Sequence, residues 1–374
     1  MLWKNLQKLC LVNKMVYYIS YIIIIAIQGI YFYSLSNYKQ DKKKKIFLIL
    51  SCIELILFTG IRNDTVGADT SVYVSALDLY SYFNLKELVV AGNFYPNNFE
   101  LGYLWITKIS AFLDLNHSIF LIIIAICIYT PTFKFFYKYS PYPFLSIAIY
   151  FGLGLFSYSL GIFRQFIAMS VILCGIEYII QRNLLKWTLT IGISTLFHTT
   201  GLICYLMYFL YNFNFKKMFY ITIFLQPVLY IASRPVLSFF ISFFPAYYRY
   251  LGTWRDEVNS SMTMIILYNL ILMGCYLCDS KTFCKESCSR LFINSVPLLC
   301  CIQAMAYSFA MLGRAIPYFS IYITIVIPIM LKELFSPKQS IVMAIILDVL
   351  FILLFLYTNI DNQYILPFKF FWES

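Results

Sequence analysis

Charged residues are scarce in this sequence, at 12% of the chain, while 61% of it is hydrophobic. Soluble domains carry about 25% charged residues, because water must solvate their surfaces. The mean hydropathy of +0.77 agrees with this imbalance. A compact water-soluble domain is therefore excluded, and any substrate must meet the protein within or beside a lipid bilayer.

The motifs of nucleotide and hydrolytic chemistry are also missing. The chain has no P-loop, no glycine-rich dinucleotide fingerprint, no HExxH and no GxSxG. The 11 cysteines form no paired framework, so no disulfide scaffold is expected. Cys278, Cys284 and Cys288 lack the fourth ligand of a zinc site and are interpreted as reduced cytoplasmic thiols. We expect neither a cofactor nor a metal ion.

Apolar runs of about twenty residues recur along the chain, each long enough to cross a membrane as a helix. They are continuous rather than alternating, which is typical of helices. The predicted spans are 16–36, 45–61, 117–136, 142–160, 164–180, 217–232, 261–278, 289–308, 314–331 and 340–357. The predicted fold class is therefore all-α, a polytopic transmembrane helical bundle of about ten spans. It forms a single integral membrane domain over residues 1–374.

Lysines cluster in short loops between these runs, which marks the loops as cytoplasmic by the positive-inside rule. The net charge of +11 is thus a topology signal, and no nucleic-acid partner is expected. Lysine-rich loops on one side must be separated by an even number of crossings, and segment 186–213 breaks this rule. Each half of it has about twelve residues, or ~18 Å of helix, too short for a core of ~30 Å. We predict a re-entrant or broken hairpin entering from the cytoplasmic side, with His198 at its tip.

The segments 62–116 and 233–260 then lie on the outer side and form the expected active-site face. Arginines collect on this face, although the charge rule disfavours cations there. Arg62, Arg164 and Arg314 are predicted to bind a diphosphate, since a guanidinium can pair with phosphate through two hydrogen bonds. For Arg164 a second interpretation stays open, because arginines also anchor helix ends at the membrane interface.

Two titratable side chains are candidates for proton transfer. His198 can act as a general base at the hairpin tip, or it can be a buried histidine that its neighbours satisfy. Asp69 follows Gly67 in the polar run after the second span. It can contact a sugar hydroxyl or Arg62, or it can simply cap the helix that begins at Thr70.

Aromatic and polar side chains of the outer segments are candidates for sugar binding. Arg249 and Arg255 lie among the aromatic rings of run 247–257, which suits carbohydrate but is also typical of an interfacial belt. Glu100 begins a half-length apolar segment that is expected to lie on the outer surface or to dip into it. The other supporting candidates are Tyr73, Gln165 and Tyr318.

These residues, in this order, resemble the EpsG family of Wzy-like polysaccharide polymerases, found in exopolysaccharide, capsule and O-antigen gene clusters. The resemblance covers nearly the whole chain. The matching features are Gly60, Ile61 and Arg62 with Gly67, Asp69 and Tyr73, then Glu100, then Arg164 and Gln165 with Ala168, then Phe197 and His198, then Arg314 with Tyr318. The departures are mild, at Thr70–Ser71 and Ile162–Phe163.

The resemblance implies a helical, lipid-embedded scaffold similar to that of GT-C-like membrane glycosyltransferases. The substrate would be an undecaprenyl-diphosphate-linked oligosaccharide at the outer face of the bacterial inner membrane. The arginines would stabilise the leaving diphosphate, and His198, or failing it Asp69, would take the proton of the attacking hydroxyl. A membrane protein that regulates chain length is an implied partner. The alternatives are a flippase or exporter of the same lipid-linked oligosaccharide, and another lipid-linked glycosyltransferase or ligase.

Overall fold

A computed structural model of the chain describes residues 2–34, 40–82, 99–233, 235, 261–278, 287–308 and 310–373. The described residues are helical almost throughout, which confirms the predicted all-α class. The α-helices are α1 (Leu2–Ser34), α2 (Gln40–Gly60), α3 (Thr70–Ser81), α4 (Leu101–Phe112), α5 (His117–Tyr139), α6 (Pro143–Gly152), α7 (Leu155–Ser159), α8 (Phe163–Ile180), α9 (Leu184–Thr195), α10 (Leu206–Leu210), α11 (Phe215–Ile231), α12 (Met262–Cys278), α13 (Ser287–Ser308), α14 (Ile316–Ser320), α15 (Ile323–Leu334) and α16 (Pro337–Asn359). Thr199–Tyr205 and Ala310–Ala315 are 3-10 helices.

Helices long and apolar enough to cross a membrane account for part of the predicted span count. Among the described residues they are His117–Tyr139, Phe163–Ile180, Cys288–Tyr307 and Pro337–Asn359. The bent pair Leu312–Ser320 and Ile323–Leu334 adds a fifth if it forms one span. Helices are present at all the predicted positions, but several of them are shorter than a full span. The figure of about ten spans therefore stays a prediction.

Two predicted spans are interrupted in the structure. The span predicted at 142–160 divides into α6 and α7, and Gly154 between them adopts a φ of 75°. The span predicted at 314–331 bends by 42° between α14 and α15. Hydropathy averages over a window and does not register such local backbone changes, whereas a left-handed residue ends a helix because its backbone cannot continue the hydrogen-bond ladder.

The predicted membrane domain comprises two compact units. The first contains residues 1–175, 188–202 and 345–374, and the second contains 176–187 and 203–344. In the first unit, α2 packs along α5, and they approach so closely that a Cβ on Gly60 would lie 2.9 Å from the Ile122 Cα. The core beside them is aromatic. It includes Tyr18, Phe58, Phe151, Phe156, Phe355 and Phe368 in mutual ring contact.

Much of the apolar surface faces outward, as a helix in lipid requires. In α16 only 22% of the residues in the most apolar stretch are buried. Large side chains such as Ile345, Val349 and Leu353 are exposed along it. In water such a surface would drive aggregation, because contiguous apolar patches of this extent are not tolerated on soluble proteins. The exposed faces are consistent with a membrane protein.

The hairpin predicted around His198 has its break where the sequence indicated it. Helix α9 ends at Thr195, and the chain continues after His198 as the 3-10 helix. The Ser194 hydroxyl donates to the Ala168 carbonyl at 3.0 Å, which fixes the hairpin against the first turns of α8. Ala168 lies one helical turn after Arg164 in α8. The tip thus lies about one helical turn from Arg164.

The second unit is organised around α13, which packs against α11 and α12. The Asn294 amide donates to the carbonyls of Leu210 and Phe213 at 2.8 and 3.0 Å, and so satisfies the end of α10. Arg182 stacks over the Tyr208 ring at 3.8 Å. These contacts occupy polar groups that the helix ends would otherwise leave without partners.

Candidate functional site

The polar run after α2 is held by close backbone contacts. Gly67 has a φ of 114°, and a Cβ there would clash with the Leu160 carbonyl. A Cβ on Gly161 would lie 2.5 Å from the Ala68 nitrogen. Two loops therefore pass each other with no room for side chains, which explains why both positions are glycine.

Arg62 is buried beneath this loop, with 3% of its surface exposed. Its Nε donates to the Val66 carbonyl at 3.1 Å, its Nη2 donates to the Leu160 carbonyl at 2.8 Å, and its Nη1 donates to the Thr59 carbonyl. Burial lowers its pKa to about 10, so it remains charged at neutral pH. These contacts give Arg62 a structural role, because it bonds the loop that contains Val66 to the loop that contains Leu160. Its predicted diphosphate contact stays a prediction.

Replacing Arg62 with Lys is expected to destabilise the protein. One ammonium cannot reach three carbonyls in three directions, and each buried carbonyl left without a donor costs about 1–3 kcal/mol. The unfolding temperature in detergent should fall by about 5 °C or more, and the amount of folded protein should fall with it. Arg164→Lys serves as the comparison, because a lysine there keeps a positive charge beside Glu100. An unchanged unfolding temperature for Arg62→Lys would contradict the structural role.

Three predicted site residues meet in the first unit. The Arg164 Nη1 forms an ion pair with the Glu100 Oε2, and the His198 Nδ1 lies 3.4 Å from the Glu100 Oε1. The exposed fraction of the side chain is 21% for Arg164, 15% for Glu100 and 10% for His198. The backbone N–H of Thr199 also points at the Glu100 Oε1, at 3.4 Å. We call Arg164, Glu100 and His198 the outer cluster, after the side of the membrane predicted for segment 62–116.

Aromatic rings form the wall behind the outer cluster. The Arg164 guanidinium lies 4.9 Å from the centre of the Phe99 ring and 5.8 Å from that of Tyr73. The Tyr73 hydroxyl accepts from the Arg164 Nε at 3.4 Å, and its ring stacks on Phe163 at 4.8 Å. Burial raises the pKa of the Tyr73 phenol, so it remains neutral. The rings limit the directions the guanidinium can take and reduce its screening by water.

Backbone contacts bring the members of the outer cluster together. Glu100 is the residue before α4, and the Gly102 N–H donates to the Leu196 carbonyl at 2.7 Å. A Cβ on Gly102 would lie 2.8 Å from that carbonyl oxygen and 3.0 Å from the Phe197 ring. Sequence analysis assigned no role to Gly102 or Phe99. A glycine near the start of a helix, where the backbone does not require one, is the signal that could have indicated a close approach.

The other predicted site residues lie elsewhere or outside the described residues. Asp69 is exposed before α3, and its side chain makes no capping hydrogen bond, so the capping interpretation is not realised. Gln165 is buried next to Arg164 in α8. Arg314 and Tyr318 belong to the second unit, where Tyr318 is buried and Arg314 is partly exposed. Arg249 and Arg255, with most of segment 233–260, lie outside the described residues.

A separate polar cleft of about 690 Å³ opens beside the polar run that follows α2. His117 lies in it with its Nε2 3.0 Å from the Asp78 Oδ1 and its Nδ1 3.8 Å from the Asp64 Oδ2. All three side chains are well exposed, so water screens their attraction. His117, the second histidine of the chain, therefore differs from His198 in burial and serves below as its matched control.

Comparison with known proteins identifies the family. The model of the EpsG family matches residues 45–370, which includes the outer cluster, Asp69, Arg314 and Tyr318. No curated protein and no solved structure matches the chain. The family match extends over most of the sequence and agrees with the all-helical, apolar structure. The chain belongs to the EpsG family.

Proposed function

We propose that the chain is a polysaccharide polymerase that joins undecaprenyl-diphosphate-linked repeat units at the outer face of the bacterial inner membrane. The observation that carries the proposal is the outer cluster, where a guanidinium, a carboxylate and an imidazole meet in a partly buried position among lipid-facing helices. Membership of the EpsG family supports an exopolysaccharide-related role. A multi-pass inner-membrane location, a GT-C-like scaffold and a chain-length regulator as partner belong to the same proposal.

Arg164 is the proposed diphosphate ligand. A guanidinium carries five N–H donors; its Nη1 contacts Glu100 and its Nε contacts Tyr73. Its fixed charge and planar fork suit it to phosphate oxygens, which arginine favours over other cations. Because the site is only partly exposed, this attraction is weakly screened and strengthens as charge gathers on the leaving diphosphate. Arg314 remains a second proposed ligand, with Tyr318 and Gln165 as supporting residues.

His198 is the proposed general base. The terminal sugar hydroxyl of one lipid-linked unit attacks the anomeric carbon of the growing chain, and its oxygen forms the new glycosidic bond. The bond between that carbon and the diphosphate oxygen breaks, and undecaprenyl diphosphate leaves with the electron pair. The hydroxyl proton passes to the His198 imidazole. Histidine is suited to this step because it exchanges protons near neutral pH.

Reconstitution tests the proposal directly. The purified protein is placed in liposomes with the undecaprenyl-diphosphate-linked repeat unit made by its own cell, and the products are separated on a gel. We expect a ladder of lipid-linked polymers, and we expect none with His198→Gln protein reconstituted in the same way. Movement of intact units between leaflets without a ladder would identify a flippase. Transfer of a single unit to a different lipid would identify a ligase.

A further inference from the structure

Glu100 occupies the centre of the outer cluster rather than its edge. Its Oε2 pairs with Arg164, and its Oε1 lies 3.4 Å from both the His198 Nδ1 and the Thr199 nitrogen. Each carboxylate oxygen thus contacts one of the two groups that the proposed reaction needs, the Arg164 guanidinium and the His198 imidazole.

We propose that Glu100 is a positioning residue for His198. It holds the imidazole in the tautomer that carries the proton on Nδ1, so that Nε2 is the nitrogen that accepts the substrate proton. The carboxylate then stabilises the imidazolium that forms when the hydroxyl proton arrives. This inference rests on the proposed polymerase function and specifies how the tautomer of the general base in that reaction is determined.

The position of Glu100 is fixed by the backbone. It precedes α4 with an extended conformation, φ −68° and ψ 150°, and its carbonyl accepts from the Tyr103 and Leu104 N–H groups. Two residues on, the Gly102 N–H donates to the carbonyl of Leu196, which is two residues before His198. This bond joins the first turn of α4 to the hairpin tip. The backbone thus brings the Cα atoms of Glu100 and His198 close enough for their side chains to meet.

The charges around the imidazole favour this arrangement. Glu100 faces its Nδ1, Arg164 pairs with Glu100, and the Tyr73 hydroxyl accepts from Arg164. A neutral imidazole donates through only one nitrogen, and a carboxylate accepts but cannot donate. The tautomer with the proton on Nδ1 is therefore the one that makes an attractive contact. The same logic orients histidines in carboxylate–histidine pairs of enzymes on unrelated folds.

The tautomer can be observed without measuring activity. The chain has 2 histidines, so His117→Gln leaves His198 as its sole imidazole, provided the purification tag contains none. With the protein labelled with ¹⁵N-histidine, nitrogen chemical shifts at neutral pH should show a protonated Nδ1 and an unprotonated Nε2. The opposite tautomer would overturn the proposal whether or not the protein is a polymerase.

Kinetics provide the second readout. Glu100→Gln keeps the shape of the side chain but removes its charge, so polymerisation should fall about 10²-fold or more, chiefly in kcat. The acidic limb of the pH–rate profile should move to lower pH, because the imidazolium loses its counter-charge. Glu100→Asp keeps the charge at a shorter reach and should recover part of the rate. Asp361→Asn, at an exposed carboxylate in the turn after α16, is the matched control and should be fully active.

The outcomes separate the two proposals. If the unmodified protein makes polymer and Glu100→Gln matches it in rate and in pH profile, the positioning role is wrong and the polymerase proposal stands. If the unmodified protein makes no polymer, the proposed function is wrong, and the histidine tautomer alone decides whether Glu100 orients His198. If Glu100→Gln does not fold, the spectrum of the His117→Gln protein still decides the inference.

Discussion

Replacement of His198 with glutamine is expected to reduce polymerisation about 10²- to 10⁴-fold, the range typical of losing a general base. Glutamine keeps part of the hydrogen bonding but cannot take up and release a proton. His198→Ala should be equally inactive. Both variants should accumulate normally and still bind the lipid-linked substrate, because the side chain acts in the chemical step and not in binding.

The pH dependence adds an independent check on His198. Neutral imidazole is the working form of a base, so the rate of the unmodified protein should fall as the pH drops below neutrality and the ring becomes protonated. His117→Gln is the matched control. That histidine is exposed in a cleft beside Asp78, and its replacement should leave both the rate and the pH profile unchanged. Near-normal polymerisation by His198→Gln would transfer the base assignment to Asp69.

Replacement of Arg164 with lysine is expected to lower polymerisation about 10²-fold, although the charge is kept. Lysine has no planar fork, so it cannot make the bidentate contact with phosphate oxygens that arginine makes. It also loses the stacking of the guanidinium over Phe99. The loss of one preorganised donor to a developing anion typically costs about 10²- to 10³-fold in rate.

Stability measurements distinguish this effect from unfolding. Arg164→Lys should lower the unfolding temperature less than Arg62→Lys does, since a lysine keeps the charge beside Glu100, whereas Arg62 donates to three buried carbonyls. Full activity of Arg164→Lys would leave Arg164 as an interface anchor. The same replacement at Arg314 tests the remaining predicted diphosphate ligand, by the rate of polymer formation in the same assay.

The individual residues show where reasoning from sequence succeeded and where it failed. The break at His198 followed from the length of an apolar segment between two lysine-rich loops, which is a one-dimensional property. Arg62 and Arg164 were indistinguishable at that level, because both are arginines on a face where cations are disfavoured. In the structure Arg62 donates to backbone carbonyls, and Arg164 forms an ion pair with a carboxylate. The interpretation of Asp69 as a helix cap was reasonable by position, but its side chain makes no such bond.

The sequence by itself determined that this chain is an all-helical, lipid-facing protein of the EpsG family, because hydropathy, charge placement and motif order are written along the chain. Only the tertiary structure decided which polar groups work together. Glu100 and His198 are far apart in sequence, and their contact depends on Gly102 bonding to Leu196 across two helices. Local pattern cannot encode such a contact, because it arises from the packing of backbones that approach only after the chain has folded.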